Sequence, residues 1–395
     1  MQEYLVRHRG SWWHFYLKPF YGLCYRKFES GRFAGFEVLF PDAQADFNVT
    51  VVGESIHLVC QDSEGRIIYL TLIEEAWTKT VLLESKSPAP YPKYFELVPI
   101  GKYINLFYVI SYQDKSMLVH QILGVERPPS VVDRITPRMP MFLASSHLGN
   151  DISVYYENEK GISGCRVFRW SQKSFTGFVP VHPSLGGRVC AILPELGGRA
   201  LFGALQNTEN IMNLVCFEQK QDGQYGPGVV VNLDCPDDGL PIFCPEEEKL
   251  FMAWRESGSI MSAFTTDGGG HWSKPVRYMQ GSGVVPVLYT VCEKGRKRQV
   301  YGFEKDQSII FYTGFELKDI QAEEAEPAFR PTGYEAEDFA KEMGGMEEEP
   351  VQLAANPITD LLQKEVLKLK EQIFSIRKQL SDIDERVNQA EKENV

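Results

Sequence analysis

Short β-rich runs recur along the first 315 residues of the chain at an almost constant spacing. They begin at Trp12, Ile56, Ile104, Ile152, Ala200, Leu250 and Val300, so successive runs start 44, 48, 48, 48, 50 and 50 residues apart. Most runs are followed by a small polar turn and a second β-rich run, as in QDSEGR followed by IIYLTL, a pattern typical of β-hairpins. A regular period of this size indicates that one supersecondary unit is repeated and stacked.

Each repeat has room for four short strands. A third run such as GVVVNL usually follows the hairpin, and an earlier run such as GRVCAIL often precedes it. Four strands in about 48 residues make one blade of a β-propeller, and strands that are apolar on both faces suit blades that pack between neighbours. Helical periodicity is lacking before residue 316, which argues against a parallel α/β fold. The sequence therefore predicts an all-β fold, a seven-bladed β-propeller over residues 1–316.

The blade count has an alternative, because the first and last units look incomplete. A six-bladed propeller is the competing prediction. The last unit has no clear fourth strand, and Glu3–Arg7 is expected to supply it and so close the ring. Closure of this kind removes the exposed strand edges that an open stack would leave.

Aromatic residues recur in a second register, shortly after the third strand of most units. They are Phe33, Trp77, Phe175, Tyr225 and Trp272. We interpret them as structural plugs between the outer strands.

One turn carries a recognisable motif, since residues 265–272 read TTDGGGHW. Thr265, Asp267, Gly269 and Trp272 have the spacing Ser/Thr-x-Asp-x-Gly-x-Thr-Trp, with His271 in place of the second Thr. This segment resembles the Asp-box, or BNR repeat, of sialidase-like propellers. Asp267 is expected to accept hydrogen bonds from turn amides, and the glycines permit positive φ. The resemblance implies a structural role on the face remote from an active site, so Asp267 is not a catalytic candidate.

The same resemblance raises an enzymatic alternative. Sialidases of this kind hold the substrate carboxylate with three arginines and use a tyrosine activated by a glutamate. Their Arg-Ile-Pro near the first strand is replaced here by Arg7-His8-Arg9-Gly10, and no arginine triad can be placed by blade position. We predict a non-enzymatic ligand-binding or scaffold protein that does not turn over sialosides. A sialidase-like glycoside hydrolase is the alternative, and a phage or cell-surface assembly component is a further one.

Equivalent positions at the ends of the second strands form a circle in a propeller. The polar residues there are Gln61, Glu157, Gln206, Arg255 and Glu304. In the family that the Asp-box segment resembles, this face carries the ligand site, so these five are the candidate ligand-binding residues for an unknown carbohydrate or protein. The alternative is that they merely begin solvent-exposed hairpin turns.

Composition excludes several other functions. The net charge of −12 comes mostly from residues 316–349, which hold twelve acids and three bases, so the preceding part is nearly neutral and nucleic acid is not an expected partner. The sequence has no CxxC, Cys/His cluster, P-loop, G-x-S-x-G or dinucleotide fingerprint, so no metal, cofactor or catalytic residue is predicted. Scattered cysteines in apolar runs, without a signal peptide or membrane-length apolar stretch, lead us to expect a cytoplasmic protein.

The C-terminal part changes character twice. Residues 317–357 are acidic and interrupted by prolines, which predicts a largely disordered linker. In residues 358–395 apolar side chains alternate by four and three, at Leu362, Val366, Leu369, Ile373, Ile376, Leu380, Ile383 and Val387. This 3.5-residue period predicts a coiled coil through which the chain binds itself, and isoleucine at both kinds of core position favours a trimer over a dimer. A single amphipathic helix docked on its own propeller is the alternative.

Overall fold

The structure is a computed structural model that describes a defined part of the chain. The described residues are 2–29, 32–84, 91–112, 115–136, 142–146, 150–180, 188–196, 199–208, 211–218, 229–233, 241–246, 249–256, 258–278, 286–293, 296–305 and 308–311. All of them lie within one compact unit, residues 1–323.

The described strands fall into seven consecutive units, each an antiparallel meander. Unit 1 contains β1 (Gln2–His8), β2 (Ser11–Lys18), β3 (Gly22–Glu29), β4 (Arg32–Phe33) and β5 (Glu37–Phe40). Unit 2 contains β6 (Ala43–Val52), β7 (Ser55–Asp62), β8 (Ile67–Ile73) and β9 (Ala76–Leu83). Unit 3 contains β10 (Glu96–Ile100), β11 (Tyr103–Tyr112), β12 (Lys115–Leu123) and β13 (Ser130–Ile135).

The remaining units follow the same order. Unit 4 contains β14 (Phe142–Ser146), β15 (Ile152–Glu157), β16 (Ser163–Arg169), β17 (Ser174–Phe175) and β18 (Val179–Pro180). Unit 5 contains β19 (Arg188–Leu196), β20 (Arg199–Thr208), β21 (Ile211–Glu218) and β22 (Val229–Leu233). Unit 6 contains β23 (Ile242–Glu246), β24 (Lys249–Glu256), β25 (Ser259–Thr265) and β26 (Val276–Tyr278). Unit 7 contains β27 (Val287–Glu293), β28 (Arg296–Lys305) and β29 (Ser308–Phe311).

Among the described residues these seven units form six hydrogen-bonded sheets. Units 2 to 6 each have a sheet of their own, whereas units 7 and 1 share one sheet in the order β29-β28-β27-β1-β2-β3-β4, with β5 paired to β3. The seven predicted units are present, but units 7 and 1 share one sheet, so the number of sheets agrees with the alternative count of six. The physical reason is that β1 of unit 1 pairs with the otherwise open edge of unit 7 and so joins the two units into one sheet.

The joining strand is the segment from which closure was predicted. Strand β1 runs parallel to β27, with partners from Gln2↔Leu288 to Val6↔Cys292, and it pairs antiparallel with β2 at the same time. As predicted, Glu3–Arg7 reaches the last unit, but it pairs with that unit's first strand, β27, and not as a fourth strand beside β29; Arg7 also forms a 2.7 Å ion pair with Glu293. The same strand also serves as the first strand of unit 1.

The hydrophobic core lies between neighbouring units. One cluster joins unit 1 to unit 2, a second joins unit 2 to unit 3, and a third joins unit 3 to unit 4. Two further clusters join unit 7 to unit 1 and unit 6 to unit 7. Because each of these sheets is packed against a neighbour, its strands are apolar on both faces, which explains why the sequence shows continuous apolar runs rather than strict alternation.

The recurring aromatic residues take part in these interfaces. Trp77 of unit 2 lies 6.2 Å, centroid to centroid, from Phe15 of unit 1, and Phe175 of unit 4 lies 6.5 Å from Phe107 of unit 3. Both therefore pack against the preceding unit, as expected of plugs. Tyr225 lies outside the described residues.

The predicted linker and coiled coil, including the positions from Leu362 to Val387, also lie outside the described residues. Within the described part, no helix is long and apolar enough to cross a membrane, and no group of three or more His, Cys, Asp or Glu is arranged to hold a metal ion. The described cysteines that are buried and free of disulfides are Cys24, Cys60, Cys165, Cys244 and Cys292.

Candidate functional site

The five predicted ligand-binding residues lie at or near the ends of second strands, each in a different sheet. Gln61 is buried, Glu157 and Arg255 are half-buried, and Glu304 is exposed. The side chain of Gln206 lies outside the described part. Binding by these residues stays a prediction.

Two of the five lead directly into turns of identical construction. Asp62 follows Gln61, and its Oδ1 accepts hydrogen bonds from the backbone amides two and four residues later, at 3.1 and 2.8 Å. Asn158 follows Glu157 two repeats further on, and its Oδ1 accepts from the equivalent amides at 3.0 Å each. Aspartate and asparagine are favoured in turns because they satisfy the local amides in this way. This geometry favours a turn-forming role for the segments that contain Gln61 and Glu157.

Glu304 is engaged by an arginine from the other end of the chain. Arg26 Nη1 and Nη2 donate to its two carboxylate oxygens at 3.0 and 2.5 Å, a bidentate pair between units 1 and 7. The hydrogen bond from Arg26 holds the pKa of Glu304 below its ordinary value. Glu304 is therefore committed to the contact between the first and last units.

The same arginine continues into a buried polar chain. Arg26 Nε donates to His14 Nδ1 at 3.0 Å, so the other ring nitrogen, Nε2, carries the proton and donates to Glu3 at 2.6 Å. Burial lowers the pKa of His14, against the raising effect of Glu3, and this agrees with the neutral ring that the hydrogen bonds require. Phe33 lies beneath the Arg26 guanidinium, with its ring centroid 4.1 Å from Cζ. The arrangement holds units 7 and 1 together.

The segment that resembles an Asp-box forms a tight, self-bonded turn in unit 6. Thr265 Oγ1 donates to Asp267 Oδ1 at 2.7 Å, and the backbone amide four residues after Asp267 donates to the same oxygen at 3.0 Å. These hydrogen bonds hold the pKa of Asp267 well below its ordinary value. Gly269 has a φ of +106°, and the Trp272 ring stacks on Phe243 at 6.2 Å. Every described bond of the Asp267 carboxylate is internal to its turn.

A cleft between units 3 and 4 has the character of a ligand site. It encloses about 20 Å³, room for about one water, and lies where the β12–β13 loop faces the β16–β17 turn. Its apolar lining residues are Ile122, Pro128, Phe168 and Phe175. Its polar lining residues are His120, Arg127, Ser130 and Lys173. Apolar walls with a few convergent polar groups are typical of small-molecule sites, although this cleft is small for one.

His120 is fixed in position at the cleft. It stacks on Phe107 and contacts Phe168, with ring centroids 4.7 and 4.5 Å away. Its Nε2 lies 3.0 Å from Asn105 Oδ1, and the Asn105 amide donates to the Val98 carbonyl, so Nε2 is the donor. Burial, assisted by the charge of Arg127, lowers the pKa of His120 to about 3. The ring is therefore neutral near pH 7, with Nδ1 as an acceptor.

Aromatic rings and cations surround the cleft. The Lys173 ammonium lies 2.9 Å from the centroid of the Trp170 ring, which is itself 5.3 Å from the ring of Tyr103. The Lys102 ammonium lies 5.5 Å from the Tyr103 centroid. Burial and the charge of Arg127 lower the pKa of Lys173 to about 8. Its backbone φ of +49° is in the left-handed region, where the β16–β17 turn places it.

This cleft was not predicted from the sequence. Its residues lie on the third and fourth strands of units 3 and 4 and in the connections between those strands, whereas the predicted ring was sought where second strands end. Phe175 was the available signal for the cleft, because it belongs to the recurring aromatic residues and also lines the cleft. Arg127 and Lys173 are 46 residues apart, close to the repeat, but this spacing alone does not identify a site.

Comparison with known proteins identifies a fold and no family. No protein-family model and no curated protein sequence matches the chain. Among solved structures, the BP39L lectin from Burkholderia pseudomallei is similar, with a TM-score of 0.56 and 12% identity over 80% of this chain and 97% of the lectin. A polysaccharide lyase of family PL25, an ulvan lyase solved with -[GlcA(1-4)Rha3S]- bound, has a TM-score of 0.52 and 9% identity over 77% of this chain and 89% of the lyase.

These likenesses define the class of protein. The chain is an all-β propeller protein with a fold similar to that of a lectin. Identities of this size establish a shared fold and not a shared ligand. The resemblance of residues 265–272 to sialidase-like propellers stays a prediction.

Proposed function

We propose that this protein is a carbohydrate-binding propeller that binds a sugar at the mouth of the cleft between units 3 and 4. The observation that carries the proposal is the chemistry of the cleft, where the half-buried Phe175 lies beside Arg127 and Ser130, and the buried Phe168 and His120 complete the lining. A pyranose has apolar C–H faces and a polar edge of hydroxyl groups. Aromatic rings match the first, and fixed donors and acceptors match the second.

The likeness in fold to a lectin, and to a lyase solved with a saccharide bound, supports this proposal. The enclosed space of about 20 Å³ has room for about one water, so the sugar lies across the mouth of the cleft with one small group entering it. We also propose binding without hydrolysis, because none of the described lining residues is a carboxylic acid able to act as acid or nucleophile. The predicted coiled coil would join several such weak sites and raise avidity.

The test is a glycan panel probed with the full chain, with each positive glycan then titrated by calorimetry. Ser130→Trp fills the cleft with a bulky side chain at the exposed start of β13, where an aromatic residue suits a strand. We expect this variant to weaken sugar binding by at least about tenfold, which corresponds to roughly 1.4 kcal/mol.

The matched control is Thr80→Trp, at an exposed position of the outer strand β9 in unit 2. This control should bind as the original protein does. A chain that binds no glycan on the panel, or a Ser130→Trp variant that binds as well as the control, contradicts the proposal. Hydrolysis of a fluorogenic sialoside above a blank would restore the hydrolase alternative.

A further inference from the structure

We infer that the sugar held between units 3 and 4 is acidic, with a carboxylate or sulfate group bound by Arg127 and Lys173 at the rim of the cleft. This inference rests on the proposed function and names the class of saccharide that the site takes.

The first argument is the state of Arg127. It is exposed in the β12–β13 loop, and its one described hydrogen bond runs from Nη1 to the Lys173 carbonyl at a long 3.4 Å. No described carboxylate lies within ion-pair distance of Arg127. Many described arginines do have such a partner, namely Arg7, Arg9, Arg26, Arg66, Arg134, Arg166 and Arg169. A planar guanidinium without a carboxylate, at the edge of a cleft, is suited to a bidentate anion from solution.

The second argument is the balance of charge around the cleft. None of its described lining residues is acidic, whereas Arg127 and Lys173 are both basic. The field of Arg127 is felt by its neighbours, because it helps to lower the pKa of Lys173 and that of His120. Two like charges beside buried surface repel each other, and an anion placed between them removes that repulsion.

The surroundings add a third cation, Lys102, and one exposed acid, Glu126, which precedes Arg127 in the β12–β13 loop. The Lys102 ammonium lies 5.5 Å from the centroid of the Tyr103 ring, which packs against the ring of Trp170. The nearest described acid of this turn, Asp151, is occupied by Arg169 at 2.5 Å and by the Trp170 amide at 3.0 Å. The described cations around the cleft mouth, Arg127, Lys173 and Lys102, therefore outnumber the exposed acid Glu126 in a chain whose net charge is −12.

The geometry separates the two halves of an acidic sugar. The apolar walls, Phe168 and Phe175, lie inside the cleft, whereas Arg127 is exposed and Lys173 is half-buried. A sugar ring placed against the walls directs an acid substituent outward to the cations. A neutral sugar ring would make the same apolar contact but would leave Arg127 and Lys173 without a bound anion.

The experiment uses the full chain and matched pairs of oligosaccharides. The pairs are a uronic-acid oligosaccharide with its carboxyl-reduced counterpart and a sulfated oligosaccharide with its desulfated counterpart. We expect the acidic member of at least one pair to bind about tenfold or more tightly, and the preference to shrink as salt rises because exposed charges are screened. The two pairs distinguish carboxylate from sulfate.

Variants that each remove one positive charge show which residues cause the preference for the acidic sugar. Arg127→Gln keeps a polar side chain, and Lys173→Asn suits the positive φ of that position. Their matched controls are Arg134→Gln, an exposed arginine of the same unit, and Arg9→Asn, a cation with a φ of +50° in unit 1. The first two variants should lose the preference for the acidic sugar while still binding the neutral one. The controls should keep the preference.

The outcomes separate the inference from the function on which it rests. Equal binding of acidic and neutral partners, or a preference that survives both Arg127→Gln and Lys173→Asn, overturns the inference and leaves carbohydrate binding intact. Failure of every saccharide to bind overturns both. Circular dichroism and melting temperature of each variant establish that it is folded, so lost binding is not mistaken for lost structure.

Discussion

Replacing Lys297 with methionine should weaken the contact of unit 7 with units 2 and 3 and so destabilise the fold. The Lys297 ammonium, on β28, donates to Asn48 Oδ1 and Glu96 Oε1 at 2.7 Å each and to the Leu97 carbonyl at 2.8 Å. One side chain of unit 7 thus satisfies acceptors on β6 and β10. Methionine keeps much of the aliphatic stem and removes all three donors.

The magnitude follows from these contacts. Hydrogen bonds to charged groups contribute roughly 1.5–3 kcal/mol each, and breaking one side of a buried ion pair costs about 3–5 kcal/mol. The side chains of Lys297 and Glu96 are 20% and 28% exposed, so water screens part of this and the low end applies. We expect a loss of about 3 kcal/mol. With about 2.1 cal/mol/K of unfolding entropy per residue over roughly 310 residues, this corresponds to a Tm lower by about 5 °C.

The assay is thermal unfolding of the full chain followed by circular dichroism, with urea unfolding as a second measure. Lys115→Met is the matched control, since Lys115 is an exposed lysine at the start of β12 and its loss should change the free energy of unfolding by less than about 0.5 kcal/mol. Glu96→Gln, alone and combined with Lys297→Met, completes a double-mutant cycle whose coupling should exceed about 1 kcal/mol. A Tm within about 1 °C of the original, or a coupling near zero, would refute the reasoning.

Three further changes have expected outcomes. Asp267→Ala should lower Tm because its carboxylate satisfies the turn of unit 6, while sugar affinity stays constant in calorimetry; a stable variant that cannot bind would contradict the structural role. Glu304→Gln should flatten the acid side of a Tm-against-pH curve, because Arg26 depresses the pKa of Glu304 and the stability gained above the unfolded pKa is lost as pH falls through the folded pKa; an unchanged acid side would exclude this contribution. Ile373→Asp with Ile376→Asp should yield monomers in light scattering, since it places carboxylates in the predicted coiled-coil seam; an unchanged oligomer would exclude that seam.

The sequence allowed the repeat to be predicted because each unit carries its own local signal. The run at Ile56 and the turn that follows it appear in the structure as β7, β8 and the Asp62 turn, and all of these depend on neighbours in the chain. The closure was only partly predictable. That Glu3–Arg7 would reach the last unit follows from a missing strand, but the parallel pairing with β27 joins residues almost 290 apart and has no local pattern.

The cleft was harder still to predict, for a physical reason. Arg127 and Lys173 lie in corresponding turns of units 3 and 4, 46 residues apart, but a spacing close to the repeat does not distinguish these two turns from the others. Turn residues are set by local geometry and by whatever the turn faces, so they escape the alternation that identifies strands. The ring of second-strand ends was regular in sequence, but at Gln61 that regularity coincides with a structural turn.

The polar contacts at the closure fix the strand register, which apolar packing alone does not determine. Hydrophobic contacts are non-directional, and a parallel strand pair that slips by one residue turns every side chain to the opposite face. The ion pairs from Arg7, Arg26 and Lys297 each join unit 7 to a different strand, so a slipped register would break all three together. The cleft is formed by units 3 and 4, which share a continuous apolar cluster of their own. Changes at the closure should therefore lower stability while leaving the choice of sugar to Arg127 and Lys173.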